Sequence, residues 1–413
     1  MIISTKRFAG YLFMLLLFLS LALPSGHLPH GLNIKIVIFG GGVAFTLFGG
    51  LRVGAKFAFF ALLIAVFLDI ETVSGIMQSG NVQLPLLELK SLAVTVAIPG
   101  MTYLLVRNGV ISPRNVFLVI VCSTVAIAFG KIGLLVYAAV ERVNFIALTR
   151  SIGSLFHDQI MTMHIAGPLY RFQVPADLGA PIATYIVLMG ERLGIDAFAR
   201  KRVAWPLLSL ILLTGFLAYS RYTWVFIAAV MVMTLARSKT SRQWFLIVAP
   251  VLIFSLSVMA PRFFSPGTAV SDNIRLEQLP VLMAQFETRP WFGHGLGFYV
   301  AHSVSDKYNP FSYELQWVAI LMQVGLGGLM VFLTLLWSLV RYFSLLPLKP
   351  MTVELLMLFA FWVFSGMFSP NLVSSAAGVI FSFFVAAGFQ LRENRAQPHE
   401  LNLSPNRLAT QNG

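Results

Sequence analysis

About twelve apolar runs, each near the roughly 20 residues needed to cross a bilayer, follow one another along this chain. They fall near 8–24, 34–50, 55–74, 91–106, 115–138, 178–190, 203–219, 222–236, 243–260, 313–340, 352–368 and 373–390. The chain is 58% hydrophobic and 11% charged over 413 residues. Soluble domains carry about 25% charged residues, so no soluble core could use so much apolar surface. The fold expected is an all-α integral membrane protein of about 12 transmembrane helices, with two long loops on one side that hold short helices. Residues 1–392 form one polytopic domain, and 393–413 read as a disordered tail, polar and without aromatic residues.

The formal charge of +13 would point to nucleic acid in a soluble protein. Here the excess sits mainly in short loops, where lysine and arginine fix topology, and no nucleic-acid partner is expected. Lys6 and Arg7 precede the run 8–24 as in a signal peptide, but the many later runs make it an uncleaved first helix. With that N-terminus cytoplasmic, the inside segments hold Arg52, Lys56, Arg107, Arg114, Arg192, Arg200 to Arg202, Arg237, Lys239, Arg242, Arg341, Lys349 and Arg392. Glu71, Glu88, Glu141, Asp158, Asp272, Glu277 and Asp306 fall to outside segments, and both termini to the cytoplasm. The run from Val203 to Ala236 is too long for one span, and Tyr219-Ser220-Arg221 is the natural place for a tight hairpin. Cys122 is the single cysteine, so no disulfide forms within the chain. No zinc, haem or iron–sulfur spacing and no P-loop pattern is present, and no cofactor is expected.

Two outside loops are long, about 141–177 and 261–312. Loops of that length are usually functional or disordered, and neither has a disordered composition. NFIALTRSIGSLFHDQIMTMHI has apolar residues at helical spacing and reads as an amphipathic helix on the membrane surface. In the second loop Trp291, Phe292, Phe298 and Tyr299 stand between turn residues, as in a packed element.

Five kinds of residue along the chain could carry chemistry. Arg221 sits in the break of a long apolar run, either reaching a partner or anchoring at the interface. Arg275 lies in the polar start of the second loop, DNIRLEQLP, as a ligand or a solvated residue. Glu314 stands before an apolar helix, where a carboxylate serves as a base or merely favours the helix dipole. Lys131 lies inside VAIAFGKIGLLVYAAV, an intramembrane cation that marks a site unless it snorkels outward. His294 and His302 flank a turn, Gly293-His294-Gly295-Leu296-Gly297, in which histidine is either a base or exposed. The glycines follow no strand and open no helix, so they let the backbone reverse closely rather than bind a nucleotide.

Three strings together resemble the O-antigen polymerase/O-antigen ligase superfamily of bacterial membrane glycosyltransferases. Ser220-Arg221 at a span start looks like its Ser-Arg motif. Arg275 followed by ETRPWFGHGLG looks like its R…rPxxGxG segment. Glu314 precedes Gly325 by eleven positions and Gly328 by fourteen, as in its final motif. Ser365 to Ser375, SGMFSPNLVSS, resembles its last outer turn, and the family-like region covers about 205–390.

The resemblance implies a GT-C-like enzyme of the bacterial inner membrane with its site on the periplasmic face. It implies transfer of glycan from an undecaprenyl-pyrophosphate-linked oligosaccharide to a hydroxyl, with neither metal nor nucleotide. On that footing Arg221 and Arg275 are the pyrophosphate pair, because a guanidinium fork binds phosphate oxygens two at a time. Glu314 is the base. Lys131, Arg289, His294 and His302 are weaker candidates for binding pyrophosphate or glycan, and His294 or His302 takes the base role if Glu314 only caps its helix. Ligases of the superfamily usually have histidine where this chain has Glu314, which favours a polymerase, as in O-antigen or exopolysaccharide assembly, over a ligase. Membrane lipid, a chain-length regulator and a repeat flippase are the expected partners. A transporter is the rival of another class, but the strongest polar features lie in external loops, not along a midplane pathway.

Overall fold

The computed structural model describes residues 5–23, 51–155, 161–166, 169–218, 220–234, 266–303, 309–343, 350–367 and 372–396, with isolated positions at 35–44, 243 and 246. Helices dominate: α1 (Thr5–Ala22), α2 (Ala55–Ser79), α3 (Gln83–Arg107), α4 (Pro113–Val140), α5 (Phe145–Leu155), α6 (Gly179–Leu188), α7 (Lys201–Ala218), α8 (Arg221–Thr234), α9 (Pro266–Thr288), α10 (Gln316–Phe343), α11 (Pro350–Phe364) and α12 (Ser375–Ala396). One hairpin, β1 (Met161–Ala166) and β2 (Leu169–Gln173), interrupts them.

Among the described residues seven helices are long and apolar enough to cross a membrane, and three shorter apolar ones accompany them. The twelve expected spans are therefore met in part. The runs 34–50 and 243–260 fall almost entirely outside the described residues, as does the expected tail beyond 396. The run 178–190 departs most from a simple span: α6 has ten residues, all buried. At about 1.5 Å per residue it is far too short to cross, and an apolar helix with no polar face belongs inside a bundle.

The main core joins α1, α3, α4, α6, α7, α8, α11 and α12. Small and hydroxylated residues bring α12 against α3. Gly378 lies against Ile98 and the Thr95 carbonyl, where an added Cβ would meet both at 3.1 Å. Thr102 Oγ1 donates to Ser382 Oγ at 2.8 Å, and Thr95 Oγ1 to the Ser374 carbonyl at 3.0 Å. Close backbones and interhelical hydroxyl bonds are how helices associate where burial of apolar surface from water is not the drive.

Both long loops correct the reading from sequence. In the first, α5 ends at Leu155 and the chain turns back as a hairpin, with Met161 opposite Gln173 and His164 opposite Tyr170. The signal was Gly167-Pro168, a turn dipeptide between segments of β-branched and aromatic residues. Phe145, Phe172 and Val174 seat α5 and the hairpin on Ile127 and Ala138 of α4. In the second loop the polar run belongs to a single 23-residue helix, α9, rather than to a short one. Glu71 and Glu88, expected among the acids of the outside segments, lie within α2 and α3 and are buried.

Candidate functional site at the end of the bundle

The site is built on α9 and on the segment that leads into α10. Arg275, Gln278 and Leu282 are spaced at helical intervals on one face of α9. Leu282 is fully buried against Tyr313, Ala319 and Met322, and Gln278 Nε2 donates to the Ser303 carbonyl at 3.1 Å. Leu276, off that face, and Leu279, at its edge, are exposed. Tyr313, next to Glu314, is fully buried, and its hydroxyl accepts from the Val300 N–H at 2.6 Å. Burial raises the Tyr313 phenol above its usual range. These anchors bring Arg275 Nη2 within 2.8 Å of Glu314 Oε2, with side chains 23% and 16% exposed. A charged pair partly shielded from water attracts more strongly than one in bulk solvent.

The glycine turn fixes this segment to the bundle. Gly293, Gly295 and Gly297 have φ of 61°, 81° and 75°, and each lies against foreign backbone. A Cβ would come within 2.1 Å of the Gln323 carbonyl, 2.0 Å of the Gly75 nitrogen and 2.3 Å of the Pro85 nitrogen respectively. The expectation of a close backbone reversal is met, and the turn wedges between α2, α3 and α10. Helix α10 is broken there: Gly325 has φ 66° and ψ −173°, a conformation nearly confined to glycine. The break leaves helix groups without intrahelical partners, and the turn supplies them. His294 and Gly295 N–H donate to the Met322 and Gln323 carbonyls, while Leu326 and Gly327 N–H donate to the Pro290 and Trp291 carbonyls. Gly325 of the family-like spacing after Glu314 thus has a backbone cause, whereas Gly328 lies against the Val324 and Glu71 side chains.

The remaining candidates are dispersed. Arg221 is the first residue of α8, and its side chain lies outside the described residues. Its helix begins at the same end as Glu314. The neighbouring Tyr222 hydroxyl donates to the Phe361 carbonyl, and two residues on, the Val363 carbonyl accepts from Trp317 Nε1 at 2.9 Å. Gln316 Oε1 accepts from Leu372 N–H at 2.9 Å, so the last turn, entered through Ser365–Met367, touches the start of α10. His294 is 7% exposed and stacked on Phe298. Its Nδ1 lies 3.1 Å from Gln78 Oε1, and its Nε2 3.1 Å from Thr288 Oγ1 and 3.0 Å from the Gln285 carbonyl. Those contacts make it a brace of the turn. His302, in a 3-10 turn, and Arg289 are exposed.

Lys131 is far from a free cation. Its Nζ donates to Asp177 Oδ1 and the Phe172 carbonyl, both at 2.7 Å, and the pair is 1% and 2% exposed. Asp177 Oδ2 accepts from Val174 N–H at 2.9 Å. Burial pushes the Asp177 carboxyl up, against the pull of Lys131. This pair ties the hairpin loop to α4 and α7. Sequence reasoning passed over three polar residues that matter here: Asp177, Glu88 and Gln323. An acid within QLPLLELKSLAV was the available signal for Glu88, since ionisable groups in apolar helices are costly unless partnered.

No curated protein matches this chain. Residues 206–333 match the family described as O-Antigen ligase (Wzy_C). The family suggests an O-antigen polymerase or ligase, an enzyme of glycosyl transfer. The match runs from α7 into α10, so it stops short of α11 and α12. It covers less than half of the 413 residues, and it supports the O-antigen polymerase/O-antigen ligase superfamily for the stretch that holds Arg221, Arg275 and Glu314.

Proposed function

We propose that the chain polymerises lipid-linked oligosaccharide repeats for a bacterial surface polysaccharide, at the periplasmic face of the inner membrane. The observation that carries this reading is the 2.8 Å pair of Arg275 and Glu314, within the matched stretch and partly open. The acceptor hydroxyl of one repeat attacks the anomeric carbon of another. Its proton passes to the Glu314 carboxylate as the new C–O bond forms. The bond from the anomeric carbon to the pyrophosphate oxygen breaks, and undecaprenyl pyrophosphate departs with the negative charge. Arg275 faces that charge, with Arg221 as the second guanidinium, and no metal is needed in this reading. One displacement inverts the anomeric centre. In the resting pair Arg275 holds Glu314, so an arriving pyrophosphate competes for the guanidinium and releases the carboxylate for its task.

A ligase that caps another acceptor is the second reading, favoured by the description of the matched family. Purified protein given only lipid-linked repeats separates the two. A polymerase lengthens them into a ladder without any other acceptor. A ligase leaves them at one repeat until a lipid A-core acceptor is added.

A further inference from the structure

Glu88 lies outside the matched stretch, yet it is an ionisable group buried against the glycine turn and α10. It is 7% exposed, on the first turns of α3. A carboxylate is expensive to bury unless hydrogen bonds replace its water. Here Oε2 accepts from Gly297 N–H at 2.5 Å and from Gln323 Nε2 at 3.0 Å. Gln323 Nε2 also donates to the Phe298 carbonyl at 3.2 Å. One carboxylate oxygen therefore joins three separate pieces of chain: α3, the glycine turn and the last residues of α10 before its break.

Two of those pieces lead directly to the reacting pair. From Gly297 and Phe298 the chain runs to Val300, whose N–H is bonded to the Tyr313 hydroxyl beside Glu314. From Gln323 it runs back along the first turns of α10, through Met322 and Ala319, which pack with Tyr313 on Leu282 of α9. Leu282 shares its helix face with Arg275. Phe298 also stacks on His294, which braces the turn from the α2 and α9 sides.

We propose that Glu88 is a positioning residue for glycosyl transfer: its carboxylate oxygen, shared between Gly297 and Gln323, sets the register of the glycine turn against α10 and so the placement of Glu314 opposite Arg275. This rests on the polymerase reading for the reaction but assigns a role to the first half of the chain that the family match does not reach. Positioning through hydrogen bonds asks for an acceptor at this place, not for a charge. Glutamine at 88 keeps an acceptor oxygen for both donors. Glutamate at 323 removes the donor and sets two carboxylates face to face, and glutamine at 88 opposite glutamate at 323 restores a donor–acceptor pair.

The experiment measures elongation by the purified full-length chain in detergent or nanodiscs. The substrate is the lipid-linked repeat extracted from cells lacking the gene. Glu88→Ala should lower kcat by about 100-fold, the cost of roughly 1 Å of misplacement, with KM for the repeat within about 2-fold. Glu88→Gln should stay within about 3-fold of wild type, Gln323→Glu should fall with Glu88→Ala, and the double variant Glu88→Gln/Gln323→Glu should recover at least about 10-fold over Gln323→Glu. Should Glu88→Ala fail to fold, the Gln323→Glu and double-variant pair decides. Wild-type kcat in Gln323→Glu, or no recovery in the double variant, overturns the proposal. So does a Glu88→Gln as impaired as Glu88→Ala, which would mean the charge itself is used. Arg275→Ala and Glu314→Gln run alongside: if both elongate normally, the site reading fails, whereas their loss with an unaffected Glu88→Ala sinks this inference alone.

Discussion

Among the described residues, two ion pairs tie the two long loops to the helices, and they are built for opposite ends. Lys131–Asp177 is 1% and 2% exposed at 2.7 Å, and its spare hydrogen-bonding capacity goes to the Phe172 carbonyl and the Val174 N–H. Arg275–Glu314 is 23% and 16% exposed at 2.8 Å, where α9 meets the segment leading into α10. Distance is nearly the same in both. Access differs, and access decides whether a charge can serve a substrate. Both Lys131 and Arg275 stand in the sequence as cations with a functional reading and a bland one, and only the partners and burial separate them.

The comparison can be broken most forcefully at the buried pair. Lys131→Ala or Asp177→Ala leaves an uncompensated charge in the core and should cost about 3–5 kcal/mol, removing most folded protein from the membrane. The paired change Lys131→Met with Asp177→Leu should recover melting temperature and membrane level well beyond either single variant. Failure to recover would mean the cation does more than hold the hairpin loop. At the open pair the pattern should reverse. Arg275→Ala and Glu314→Gln should each lower elongation by about 100-fold or more while stability moves by no more than about 1 kcal/mol. Exchanging their charges, Arg275→Glu with Glu314→Arg, should restore no elongation, because the roles are not symmetric.

The break in α10 sharpens the contrast with a smaller effect. Gly325→Ala forces a Cβ to within 2.6 Å of the Gly293 nitrogen and the Trp291 carbonyl, at φ 66°. It should cost about 1–3 kcal/mol, read as a lower melting temperature, with elongation falling as the turn shifts. Smallest of all, His302→Ala and Arg289→Ala, both exposed, should leave stability within about 0.5 kcal/mol and glycan length unchanged. A shortened ladder from either would enlarge the site beyond the Arg275–Glu314 pair.

How much of this was legible depends on which force decides each feature. Apolar runs mark the helices because the bilayer sets one length for them, and the long run from Val203 does divide into two helices, α7 ending at Ala218 and α8 starting at Arg221. Local pattern is ambiguous in the long loops: the helical spacing gives way to a strand from Met161, and DNIRLEQLP, polar in sequence, belongs to a helix whose later residue Leu282 packs on Tyr313. The convergence of Arg275 and Glu314 came from family-like strings, since nothing local brings residues so far apart together. Glu88–Gln323 and Lys131–Asp177 had no such strings. Long-range polar contacts leave no periodic trace: an acid in an apolar helix shows that a partner is needed, but not which residue supplies it.

The most direct measurement is the surface-glycan profile of cells lacking the gene and supplied with Glu314→Gln at the same membrane level as wild type. The account predicts exported single-repeat glycan and no ladder, where the wild-type chain gives a ladder. A full ladder from Glu314→Gln would contradict it, because the carboxylate held by Arg275 would then take no proton that the reaction needs.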